Sequence, residues 1–127
     1  MKGRQISPGV VEGEVIVTSE PMGFYGGVDP KTGDIIDKNH ELNGVNIKGK
    51  VFMFPKGKGS TVGSYVIYGL MKYGNAPVAI VNEETETIVA VGVILSGIPS
   101  IDGIDISKFA TGDRVKVDAD NAVVEKL

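Results

Sequence analysis

Cysteine is absent from this sequence of 127 residues, and histidine occurs once, at His40. Without cysteine, the chain contains neither a disulfide framework nor a thiolate ligand for a metal ion or an iron–sulfur cluster. A histidine-based metal site or a Ser–His pair would depend on that single histidine. No partner motif surrounds His40, so we expect it to be structural or exposed.

Long apolar runs and basic runs are also missing. The longest apolar run, Ile88–Leu95, is too short to span a bilayer, and the N-terminus leads into no apolar stretch of the signal-peptide type. The 13 basic residues are scattered and the formal net charge is −3, which argues against a nucleic-acid surface. We therefore expect a cytoplasmic protein with neither a membrane nor a nucleic acid among its partners.

Glycine is abundant, at 18 of 127 residues, and no repeat or low-complexity tract accounts for it. The glycines instead separate short elements, a pattern typical of many tight turns. The length suits one domain, and we predict a single domain over residues 1–127.

The middle of the chain predicts a parallel β-sheet with helical crossovers. Apolar runs bounded by turn residues predict three strands, and apolar residues at helical spacing predict a helix between each pair. The β-branched residues of 88–94 leave a strand as the alternative for the second helix, which Thr85 or Thr87 would cap and Gly97 would end. The strands are predicted over 50–54, 77–81 and 98–101, and the helices over 61–73 and 84–95.

Both ends of the chain predict further strands. Residues 12–19 form a short strand, 22–33 a long loop rich in turn formers, and 35–36 a brief strand. Residues 113–118 alternate apolar and polar side chains, and 122–125 return as a hairpin partner. The predicted fold is α/β: a small parallel βαβαβ layer joined by antiparallel β strands from both ends of the chain.

The loop Pro55–Ser64 follows the first buried strand and opens the first helix. The first N–H groups of a helix lack internal partners, and the helix dipole adds partial positive charge there. Gly57 and Gly59 let a ligand approach the backbone, Lys58 adds a cation, and Ser60 or Thr61 would be the N-cap. The pattern predicts a site for a phosphate or a carboxylate.

Other interpretations of this loop stay open. It can be a capped helix with a glycine turn and no ligand, since such junctions are common. A P-loop is excluded because Gly59 follows Lys58, where that motif needs Ser or Thr. A dinucleotide fingerprint, with Glu83 on the ribose, would need more βα units than this chain can contain.

Three ordered motifs resemble the small subunit of aconitase X, and the resemblance covers roughly residues 8–126. They are Phe24–Asp37, Pro55–Ser64 and Ala90–Asp102. The loop Gly57-Lys-Gly-Ser-Thr61 is similar to the Gly-x-Gly-Ser-Ser loop in the swivelling domain of aconitase-type hydro-lyases. In aconitase an arginine follows the serine pair and binds substrate carboxylate, whereas this chain has Val62.

The resemblance implies a swivelling β/β/α domain that works as a heterodimer with a large aconitase X-type subunit. The iron–sulfur cluster would belong to that subunit, and this chain would bind no cofactor and no metal. For a free-standing archaeal small subunit, the resemblance implies a dehydratase that is active only with its partner. It would convert mevalonate 5-phosphate, a phosphorylated hydroxy acid, to trans-anhydromevalonate 5-phosphate in isoprenoid biosynthesis.

The site residues follow from matching the loop to this family. The resemblance implies that Ser60 is the proton acceptor. Two alternatives remain: a dehydratase of another hydroxy acid such as cis-3-hydroxyproline, or a non-catalytic anion-binding interaction module. Phe24 and Tyr25 could cover the active-site mouth, contact the large subunit, or pack within their own loop. The predicted substrate-binding residues are Gly57, Lys58, Gly59, Thr61 and Ser64.

Overall fold

Parallel strand pairing dominates the centre of the fold in the computed structural model, which describes all 127 residues. The strand order is β1-β5-β4-β3-β2-β6-β7, and the pairs β2–β3, β3–β4 and β4–β5 are parallel. Strand β1 is antiparallel to β5, and β6 is antiparallel to both β2 and β7. The predicted α/β class is confirmed. The elements are β1 (Arg4–Ser7), β2 (Val10–Val17), β3 (Val51–Phe54), α1 (Gly63–Lys72), β4 (Ala79–Asn82), α2 (Thr87–Ser96), β5 (Ser100–Asp102), a 3-10 turn (Ile106–Lys108), β6 (Arg114–Asp118) and β7 (Val123–Lys126).

The sheet curls until its two ends meet. The first half of β2 pairs with β6 and its second half pairs with β3, so β2 belongs to both parts of the sheet. The Gly3 N–H donates to the Ala122 carbonyl and the Val124 N–H to the Met1 carbonyl, each at 2.8 Å. The β6–β7 hairpin therefore forms a second β layer, as a β/β/α arrangement requires.

Two apolar cores lie on opposite faces of the parallel strands. Side chains alternate along a strand, so in β3 Phe52 and Phe54 face the helices while Val51 and Met53 face the hairpin. All four are completely buried, which is expected for a parallel strand covered on both faces. The strand thus leaves the core directly into the loop at Pro55.

The two helices pack side by side on one face. A Cβ atom on Gly63 would lie 3.2 Å from Ile88 Cγ2, and one on Gly92 would lie 2.7 Å from Ile67 Cδ1. The Gly63–Ile88 contact joins the first turns of the two helices, and the Gly92–Ile67 contact joins their middle turns. The helices therefore run in the same direction and begin at the same edge of the sheet.

Several local predictions need correction. Strand β1 was not predicted, and residues 35–36 contribute only an isolated bridge through Ile35. The N-cap of α1 is Val62 and it has no side-chain cap, so the prediction of Ser60 or Thr61 is wrong. The strand alternative for the second helix is also wrong.

The cap of α2 is neither of the predicted threonines. Glu86 is the N-cap, and its carboxylate accepts from the Ile88 and Val89 N–H groups at 2.8 and 2.9 Å. Gly97 ends this helix in the left-handed conformation, as predicted.

Candidate active-site loop

The loop leaves β3 at the carboxyl edge of the parallel strands, the edge where ligands bind in α/β folds. A neighbouring segment fixes its first half. The Met22 N–H donates to the Lys56 carbonyl at 3.0 Å, and the Lys58 N–H donates to the Met22 carbonyl at 2.9 Å. Residues 56–58 are therefore held in an extended conformation before the loop turns.

Gly57 is packed so closely that an added side chain would collide with its neighbours. It is buried, and a Cβ atom there would lie 2.3 Å from Glu86 Oε1 and 2.7 Å from Val89 Cγ2. Glycine at this position allows the loop to contact the N-terminus of α2. The structure thus places Gly57 against the protein, at the base of the loop.

The tip of the loop presents backbone N–H groups outward. Gly59 has a φ of +86° with open space around it, which favours glycine. The N–H groups of Gly59, Ser60 and Thr61 find no acceptor within the chain, and all three residues are exposed. Free backbone N–H groups at a loop-to-helix junction are suited to bind an anion.

Ser60 is exposed at the centre of this tip. Its Oγ accepts a hydrogen bond of 3.2 Å from the Val62 N–H. The hydroxyl proton is therefore free for another acceptor. A hydrogen bond donated to Oγ stabilises that oxygen when it carries negative charge.

The other predicted substrate-binding residues differ in whether their side chains are free to bind a ligand. Thr61 is exposed, whereas Ser64 is only 7% exposed and its Oγ donates to the Thr61 carbonyl at 2.9 Å. Ser64 therefore stabilises the first turn of the helix. Lys58 forms no ion pair or hydrogen bond through its ammonium, and its side chain runs beside Gly23.

The two aromatic residues of the long loop have separate places. Phe24 is buried and packs edge-on against Phe54, with ring centroids 5.7 Å apart, so it belongs to the core. Tyr25 is 62% exposed, and its backbone nitrogen lies beside Gly63 at the start of α1. Only Tyr25 is free to contact a substrate or another chain.

His40 lies in a polar cluster with Glu20, whose carboxylate also accepts from the Glu41 N–H. Its side chain is 3% exposed, Nδ1 accepts from the Leu42 N–H at 3.0 Å, and Nε2 lies 3.5 Å from Glu20 Oε2. These contacts give His40 a structural role.

A cleft of about 210 Å³ lies next to the loop, beyond Pro55. The carboxylates of Glu41 and Glu83 line it, together with hydroxyl groups and a few apolar side chains. Two carboxylates disfavour a phosphate or a carboxylate ligand. The exposed amides of the loop tip therefore suit an anion better than this cleft does.

The donor groups of this chain do not fit an iron–sulfur cluster. It has no cysteine, and nowhere do three or more His, Asp or Glu side chains converge as a metal site would require. Neither helix has the length and apolar character needed to cross a membrane.

Sequence reasoning missed the segment that supports the loop. Asn82, the last residue of β4, bonds the Phe54 carbonyl just before the loop, and Thr85 bonds Asn82. Glu86 packs against Gly57 within the loop. The one sequence signal for this segment is Gly57. A glycine in a loop can indicate close packing against another part of the chain, but it does not identify that part.

The fold and the loop define a small α/β domain with a glycine-rich loop whose free amides are exposed at its surface. A family model described as the aconitase X swivel domain matches residues 1–126, and the chain belongs to that family. The family expected from the three motifs is confirmed.

Individual relatives match over almost their whole length. The phosphomevalonate dehydratase small subunit of Thermococcus onnurineus is 57% identical over 125 residues, which cover 98% of this chain and 96% of the relative. The protein of the same name from Methanocaldococcus jannaschii is 56% identical over 127 residues, covering 100% and 97%. The crystal structure of Thermococcus kodakaraensis aconitase X in its holo-form matches with a TM-score of 0.98 at 56% identity, covering 99% of this chain and 96% of that chain.

Proposed function

We propose that this chain is the small subunit of a two-chain hydro-lyase that dehydrates mevalonate 5-phosphate to trans-anhydromevalonate 5-phosphate. The names of the relatives, at 54–57% identity over nearly the full length, support this substrate. The observation that carries a catalytic role is the exposed loop tip, where Ser60 lies among three consecutive residues with free amides. The chain would act as a single domain over residues 1–127.

Substrate binding would use the amides of the loop tip. The Gly59, Ser60 and Thr61 N–H groups and the Lys58 ammonium suit an anionic oxygen of the carboxylate or the phosphate. Val62 replaces the arginine of aconitase and offers only an apolar side chain, so further carboxylate recognition would come from the large subunit.

Ser60 would remove the proton α to the carboxylate. A serine hydroxyl is a poor base unless its alkoxide is stabilised. The Val62 N–H, bonded to Oγ at 3.2 Å, and the positive end of α1 supply that stabilisation. The free amides nearby add to it, because they keep the local potential positive.

The hydroxide-leaving half of the reaction would depend on the large subunit. When bound there, an iron–sulfur cluster supplies the Lewis acid for the departing oxygen. This chain would provide the base and the anion site, and its loop would face the partner.

Co-expression with the large subunit tests the proposal. The complex, purified anaerobically, should convert mevalonate 5-phosphate to the anhydro product, and each chain alone should not. Turnover of cis-3-hydroxyproline instead would contradict the proposed substrate. Phosphate binding without turnover of either compound would favour the anion-binding module and contradict the enzyme.

A further inference from the structure

We propose that Asn82 and Thr85 are positioning residues that aim the catalytic loop from its base. This inference rests on the proposed function of Ser60. Neither residue lies in the exposed loop tip. Both act through the carbonyl group of Phe54, the last residue of β3 before the loop.

Asn82 provides the direct contact. Its side chain is completely buried, and Nδ2 donates to the Phe54 carbonyl oxygen at 2.9 Å. A carbonyl oxygen only accepts, so the amide nitrogen must face it and Oδ1 must face the other way. This hydrogen bond sets the direction in which the chain leaves β3.

Thr85 fixes the orientation of that amide. Its hydroxyl donates to Asn82 Oδ1 at 2.9 Å, so the carboxamide is bonded at both of its ends. Without the hydroxyl, Oδ1 would lose a buried partner, and the carboxamide would be free to rotate away from Phe54. The Thr85 side chain therefore acts on the loop through Asn82.

Thr85 itself is anchored to the far edge of the sheet. Its N–H donates to Asp102 Oδ2 at 2.9 Å. Arg4 binds the same carboxylate through Nε and Nη2 at 3.0 and 2.8 Å. The hydrogen bond and the charge of Asp102 raise the pKa of the Arg4 guanidinium. The chain of contacts thus runs from β1 to the loop.

Backbone contacts reinforce the same arrangement. The Glu83 and Glu84 N–H groups both donate to the Pro55 carbonyl at 3.1 Å, and Glu86 packs against Gly57. Residues 82–86 therefore fix the loop from Phe54 to Gly57, whereas the amides of 59–61 have no partner in the chain. On its other side the tip is bonded to the start of α1, where the Gly63 N–H donates to the Ser60 carbonyl at 2.9 Å. A shift at the base would therefore move Ser60 relative to that helix.

A matched pair of variants at position 85 tests the proposal in the two-chain complex. Thr85→Val removes the hydroxyl at constant shape, and Thr85→Ser keeps it. We expect Thr85→Val to lower kcat by about 10- to 100-fold, since a displacement near 1 Å can have this effect. KM should change little, and Thr85→Ser should restore kcat.

A control variant separates positioning from general destabilisation. Ser100→Ala removes a buried hydroxyl bonded at 3.0 Å to the Ile98 carbonyl, at the end of β5 opposite Asp102. It should leave kcat unchanged. If Ser100→Ala lowers kcat as much as Thr85→Val does, or if Thr85→Val keeps the wild-type kcat, the proposal is overturned.

A second measurement does not depend on activity. In the isolated full chain, Thr85→Val should shift the NMR resonances of the Gly59, Ser60 and Thr61 amides, and Thr85→Ser should not. Unshifted resonances in Thr85→Val would overturn the positioning role even in an active enzyme. An inactive wild-type complex with shifted resonances would contradict the proposed function and leave the positioning role supported.

Discussion

At the scale of single residues, the loop combines two exposed residues that carry a hydroxyl with others that are already engaged in structure. Ser60 and Thr61 are exposed, whereas Ser64 bonds the Thr61 carbonyl and Gly57 packs against Glu86. A mutation at Gly57 should therefore act on the shape of the loop, and a mutation at Ser60 should act on chemistry. The two effects can be separated by measuring stability alongside turnover.

Gly57→Ala should destabilise the chain. Its Cβ would lie 2.3 Å from Glu86 Oε1, and relief would disturb the carboxylate that caps α2. We expect a loss of about 1–3 kcal/mol in the free energy of unfolding, as for other overpacked sites. Chemical denaturation of the isolated chain measures it.

Gly23→Ala is the matched control for that prediction. Gly23 follows the residue that bridges Gly57, but its nearest neighbours, atoms of Lys58, are 3.7 Å from the added Cβ. The change should stay within about 0.5 kcal/mol of wild type. If both variants lose the same free energy of unfolding, backbone flexibility and not the contact with Glu86 would explain why position 57 is glycine.

At the scale of elements, the contact between α1 and α2 depends on Gly92. Gly92→Ala places a Cβ 2.7 Å from Ile67 Cδ1 and 2.9 Å from Ile67 Cβ. Alanine gains about 1 kcal/mol in helix propensity over glycine. The overpacking of about 1–3 kcal/mol should outweigh that gain and lower the unfolding free energy.

A double-mutant cycle tests the origin of this effect. Ile67→Val removes Cδ1 and alone should destabilise by about 0.5–1.5 kcal/mol. In the Gly92→Ala background it should destabilise less, because the removed atom is the one in collision. Strictly additive losses would contradict the close contact between the two helices.

Sequence patterns predicted the elements that local residues specify. The buried runs before Pro55 and after Pro77 and the stop at Gly97 mark their elements directly, and the parallel layer followed from them. Strand β1 was missed because Arg4-Gln5-Ile6-Ser7 has no β-branched run, and it exists through pairing with distant β5.

Caps and supports depend on partners that sequence alone does not reveal. Thr85 is a favourable cap residue by type, yet its hydroxyl bonds Asn82, and Glu86 takes the cap instead. Ser60 likewise bonds the Val62 N–H within a turn that precedes the helix. The loop was found from its residues, but the segment that supports it required the tertiary structure.

At the scale of the whole molecule, the chain forms a closed β/β/α body with its candidate site on the outside. The loop tip is exposed, and Val62 and Tyr65 beside it are 43% and 68% exposed. Closing a reaction site off from bulk water strengthens the electrostatic interactions within it. A second chain that covers this exposed surface would close the site in this way, which agrees with the proposed large subunit.

If Ser60 is the base of the two-chain enzyme, a complex that contains Ser60→Ala should lose most of its turnover of mevalonate 5-phosphate. We predict that kcat falls by about 10²–10⁴, the usual contribution of a general base, with complex formation unchanged. Ser96→Ala, at the far end of α2 where the hydroxyl has no hydrogen-bond partner, should remain fully active. Near-normal turnover by the Ser60→Ala complex would contradict the account.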